Sequence, residues 1–88
     1  MTVDDARREV LDNGGHLLPA NFDKALLGAA ALPFQGPMFA VYSLDAMART
    51  VADEQGWSEE QGMEWVSYNV VGSSTPEQGP LFMVEVAR

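Results

Sequence analysis

The sequence predicts an α+β domain in which a small three-stranded sheet is packed by helices in the order α-β-β-α-α-β. Three observations carry that expectation. Residues 44–52 repeat apolar side chains at helical spacing, and residues 58–61 form a helix-capping signature. Residues 38–43 and 81–87 are rich in aromatic and β-branched side chains, as strands are. A chain of 88 residues buries enough surface for one core and not two, so residues 1–88 are expected to form a single domain.

The elements follow in order. "TVDDARREVLDNGG" reads as a short helix, with Thr2 as its cap, Asp4 and Asp5 at the positive end, and Gly14 or Gly15 closing it. Val3, Ala6 and Val10 give it a thin apolar stripe. "HLLPANFDK" reads as an irregular connector. "ALLGAAAL" and "MFAVYS" are two strands around a turn spanning Pro33 to Pro37, although the alanines of the first arm favour helix.

Leu44, Met47, Ala48, Val51 and Ala52 then share one helical face, with Ser43 or Asp45 to begin the helix and Gly56 to end it. Ser58 and Gln61 open a further helix that runs to Gly72. Its expected inner face is Gly62, Trp65, Val66, Asn69 and Val70. "SSTPEQGP" is a loop and "LFMVEVA" a last strand.

Charge is the outstanding feature of the composition. Thirteen acids against five bases give a net charge of −8, within an otherwise ordinary 47% hydrophobic content. Such a chain repels nucleic acid and anionic membranes and attracts basic proteins or cations. Acidity also keeps small domains soluble. The absence of cysteine removes disulfides and thiolate chemistry, and the charged N-terminus lacks the apolar segment of a signal peptide. A cytoplasmic protein is expected.

Catalytic constellations do not emerge. His16 is the single histidine and follows "NGG" in a loop, with no nucleophile tied to it by spacing. Loop hydroxyls in "SSTP" organise turns, and no phosphate-binding loop occurs. An EF-hand begun at Asp53 would put Gln55 and Trp57 at oxygen-ligand positions and Ser58 where glycine is required. The expectation is a non-enzymatic protein without cofactor or metal. Arg7, Arg8, Lys24, Arg49 and Arg88 are scattered, which argues against direct nucleic-acid binding.

The stretch "VADEQGWSEEQGMEW" holds Asp53, Glu54, Glu59, Glu60 and Glu64 around Trp57, with no Lys or Arg. Glu59 and Glu60, in a first helical turn, suit the helix dipole, whereas Asp53 and Glu54, in a last turn, oppose it. Two readings stand side by side: a solvated helix corner with Trp57 capping the helix pair, or a contact surface with Trp57 as anchor. Carboxylates arrayed over adjacent helices can occupy a basic groove that otherwise holds DNA phosphates. Asp4, Asp5, Glu9 and Asp12 form a possible second acidic patch.

"FDKALLG" at 22–28, "VYSLD" at 41–45, "GWSEEQGMEWVSYNVVG" at 56–72 and "GPLFM" at 79–83 resemble a group of small uncharacterised proteins encoded in phages and prokaryotic genomes. That resemblance implies that Glu60, Glu64 and Asn69 serve a common fold. In type, though not in motif, the chain is similar to phage counter-defence inhibitors: DNA mimics that block restriction enzymes, and anti-CRISPR proteins. The similarity implies a stoichiometric inhibitor in the host cytoplasm. Its partner would be a basic nucleic-acid-binding protein or complex, foremost the DNA-binding surface of a type I CRISPR surveillance complex. The competing expectation is an accessory module that binds a protein through an apolar patch or sheet edge.

Overall fold

The computed structural model describes residues 1–33, 35–73 and 77–86. Phe34 of the expected turn, Ser74, Thr75 and Pro76 of the expected loop, and Ala87 and Arg88 at the end of the last expected strand lie outside the described residues. The α+β class is as expected. Helix α1 (Val3–Asp12) leads through a 3-10 helix (Ala20–Ala25) to strands β1 (Leu26–Leu32) and β2 (Gln35–Ser43). Helices α2 (Leu44–Gln55) and α3 (Glu59–Val66) follow, then a π-helical turn (Ser67–Val71) and strand β3 (Leu81–Met83).

Local chemistry accounts for the element ends. Thr2 and Asp5 make a reciprocal capping box at α1, each side chain accepting from the other residue's backbone N–H at 3.1 Å. Ser43 Oγ accepts from the Ala46 N–H at 3.2 Å, so the last residue of β2 is also the cap of α2. Gly56 ends α2 at φ +70, a conformation that a side chain disfavours. Ser58 and Gln61 complete a second capping box two residues later.

The sheet is mixed, in the order β1-β2-β3, with β2 antiparallel to β1 and parallel to β3. Ala40 and Tyr42, alternate residues of β2, enter one core cluster with Val10 of α1, Phe22 and Ala25 of the 3-10 helix, Met47 and Val51 of α2, and Val66 and Val70 from the α3 segment. Every helix therefore packs toward the same sheet face. Among the described residues, no helix is long and apolar enough to cross a membrane.

Four expectations need correction. The connector 16–24 is not wholly irregular, since Ala20–Ala25 winds into a 3-10 helix that buries Phe22 and Ala25. The β1–β2 turn is tighter than Pro33 to Pro37, because Leu32 already pairs with Gln35. The last strand stops at Met83, because β2 turns into α2 at Ser43 and offers β3 only Val41, Tyr42 and Ser43 as partners. Finally, the inner face of α3 and of the π-helical turn that continues it is Gly62, Val66 and Val70, while Trp65 and Asn69 are exposed.

The last correction follows from how closely α3 meets α2. A Cβ at Gly62 would overlap the Ala48 carbonyl oxygen and lie 3.3 Å from the Ala52 Cβ. An indole has no room beside such a contact, so the helix rolls Trp65 outward. Gly62→Ala is expected to destabilise the fold by about 2 kcal/mol, because overpacking outweighs the roughly 1 kcal/mol gained in helix propensity. Thermal unfolding should show a drop of about 10 °C.

Tyr42 is fully buried, and its hydroxyl accepts from the Leu18 N–H at 3.0 Å. Burial raises the phenol above its ordinary value of 10.0. The unfolded chain therefore loses this proton first, and stability falls as pH rises through 10 toward the folded value. Tyr42→Phe is expected to cost about 1 kcal/mol at neutral pH and to lack that alkaline loss. Urea unfolding of both proteins at pH 7 and above pH 10 checks both effects.

Candidate functional site

The five carboxylates that are close in sequence are all exposed, but they do not form one row. Asp53 and Glu54, at the end of α2, face the 3-10 helix across a groove that also contains Asn21, Asp23, Lys24 and Thr50. Asn21 Nδ2 donates to Glu54 Oε1 at 3.2 Å, which ties this carboxylate back to its own fold. That bond and the proximity of Lys24 offset part of the conflict with the helix dipole.

Glu59 and Glu60 open α3, where the N-terminal dipole favours them. Glu64 stands one turn beyond Glu60 on the outer side of the helix. It belongs to a different groove, of about 470 Å³, lined by Trp57, Gln61, Glu64, Trp65, Tyr68 and Asn69. Glu60, Glu64 and Tyr68 follow at i, i+4 and i+8, so charge and aromatic surface share one helix flank.

The second acidic patch is also on the surface, but it is less purely acidic than its four members suggest. Asp4, Asp5, Glu9 and Asp12 are exposed on α1, with Arg8 on the same face. Asp5 is committed to the capping box, and the Thr2 backbone N–H holds its carboxyl below the ordinary value. Arg7 points elsewhere and pairs with Asp23 of the 3-10 helix, the sole salt bridge among the described residues. Among those residues no three His, Asp or Glu side chains are gathered as a metal-ligating set would be.

Trp57 was a contact candidate from the sequence, and what sequence reading missed is its aromatic company, Trp65 and Tyr68. Trp57 is 39% exposed, Trp65 38% and Tyr68 77%, and the three line one groove. Trp57 is therefore partly exposed and shares its groove with two further aromatic rings. Tyr68 and Asn69 ride on the π-helical turn, a distortion frequent at functional sites. Asn69 Nδ2 donates to the Trp65 carbonyl at 3.0 Å and fixes the amide against the helix. Trp65 and Asn69 also border an adjoining groove of about 400 Å³ formed with His16, Leu17, Leu18 and Pro80. The missed signal was the run Trp65, Tyr68 and Asn69, whose spacing fits either helix face.

Like charges at Glu60 and Glu64 repel across one turn, and Asp53 opposes its helix dipole. The double variant Asp53→Asn, Glu64→Gln, which keeps the dipole-favoured Glu60, is therefore expected to melt a few degrees higher at low ionic strength. Because screening removes the repulsion, the gain should shrink near 1 M salt. Melting curves at the two salt concentrations check this.

No family model, no curated protein and no solved structure matches this chain.

Proposed function

We propose that the chain is a non-enzymatic, stoichiometric binding protein that covers a basic, nucleic-acid-binding surface of a partner protein or complex. The observation that carries this reading is the acidic, aromatic flank of α3. Trp57, Trp65 and Tyr68 supply contact area, Glu60 and Glu64 border them, and among the described residues no Lys or Arg lines the groove. Aromatic anchors with complementary charge at their edge are the makings of a contact surface. With a net charge of −8, the whole molecule is steered toward a positive partner.

Within that reading, inhibition of a type I CRISPR surveillance complex or of a restriction enzyme is the specific role proposed. In the first case the DNA-binding surface would be occupied. The α3 flank is its centre, with Glu59 and Glu60 beside it. Asp53 and Glu54 contribute from the neighbouring groove, and the α1 patch is peripheral.

A second reading has its own observation. β3 is an edge strand, and Leu81, Met83, Val84 and Val86 are exposed around it, Val84 and Val86 by 69% and 73%. An accessory module that binds a protein by strand addition would use that edge.

Capture from nuclease-treated lysate at low and high salt separates the two. The first reading expects a nucleic-acid-binding complex that is released at high salt and lost with Glu60→Gln and Glu64→Gln together. Capture that survives high salt and both substitutions would overturn it in favour of the sheet edge.

A further inference from the structure

The groove on α3 has a chemistry narrower than "acidic". Among the described residues, two indoles, one phenol, one carboxylate and two side-chain amides line it, without a cation. Gln61 Oε1 is already engaged, accepting from the Ser58 N–H at 3.0 Å. Asn69 is pinned through Nδ2 to the Trp65 carbonyl, which leaves Oδ1 as its accepting atom. Through Glu64 and Asn69 the groove therefore offers oxygen acceptors beside its aromatic faces.

Aromatic faces attract cations, and carboxylates accept charge-assisted hydrogen bonds. A guanidinium uses both: it is planar, weakly hydrated, stacks on rings and carries several N–H donors in a fixed fork. An ammonium is a compact, strongly hydrated charge that loses more on entering such a groove. A second copy of this chain is a poor occupant, since each copy brings a net charge of −8.

We propose that the groove formed by Trp57, Trp65 and Tyr68 receives an arginine side chain of a basic partner protein, its guanidinium stacked on the rings and hydrogen-bonded to Glu64. This assignment rests on the reading of the chain as a binder of a basic surface and specifies the group that is recognised. It also gives the aromatic residues a part that phosphate mimicry alone would not require.

The chain contains two tryptophans, Trp57 and Trp65, and both line this groove, so intrinsic fluorescence reports on it directly. The experiment titrates the intact protein with hexa-arginine, hexalysine and hexacitrulline peptides at low ionic strength. Hexa-arginine should change the emission saturably, at a half-saturating concentration about tenfold below that of hexalysine, and hexacitrulline should leave it unchanged. Tyr68→Ala, at a site 77% exposed and outside the core, should weaken the arginine response several-fold, as should Glu64→Gln. Equal responses to arginine and lysine peptides, or a response indifferent to both substitutions, would overturn the proposal.

Failure here is separable from failure of the function. If Tyr68→Ala still captures the salt-sensitive complex from lysate at full strength, the arginine site falls and the binding function stands. If hexa-arginine binds as expected but lysate returns no nucleic-acid-binding complex, the function falls and the arginine site stands.

Discussion

The fold depends on the contact made at Gly62, where α3 meets the backbone of α2 with no side chain between them. Because a Cβ there would overlap the Ala48 carbonyl oxygen, the two helices approach more closely at this point than any side chain would allow. That approach sets the roll of α3. Val66 and Val70 are carried onto the core with Met47 and Val51, and everything on the opposite flank goes to solvent. Gly56 makes the approach possible from the other end, since its left-handed backbone lets α2 stop and the chain reverse within two residues of Ser58. Exposure of Trp65 and Tyr68 is thus the other side of a packing solution.

Electrostatics is settled by that geometry and not by composition alone. The acids of residues 53–64 are contiguous in sequence, yet the reversal at Gly56 divides them. Asp53 and Glu54 look toward Lys24 and Asn21, and Glu64 looks toward the aromatic groove. Repulsion within the cluster is reduced by the division, and a single pair, Glu60 and Glu64, is left one turn apart on the open flank. Arg7, which by sequence sits among the acids of α1, is drawn to Asp23 and lends little to either surface.

Much of the architecture was legible because it is encoded locally. Capping at Thr2, Ser43 and Ser58 uses hydroxyls within three residues of the groups they satisfy. The five-residue apolar face of α2 is a periodicity, and four of its members are buried, with Leu44 packed at the margin. The alanine-rich β1 was readable as a strand only because Gly and Pro break the chain after it. The strand β3 was readable but its shortness was not: "LFMVEVA" has strand character throughout, and its length is decided by where its neighbour ends.

By itself, then, the sequence determined the helix ends, the order of elements, the α+β class and the strong negative charge, since each follows from residue type and near-neighbour spacing. Only the tertiary structure decided which flank of α3 faces water, how far β3 pairs, and that the acids part into two grooves. Those outcomes turn on contacts between residues distant in sequence, Gly62 with Ala48 and Ser43 with Met83. An exposed Trp65 and a buried one share the same helical pattern. The space left between two helices tells them apart.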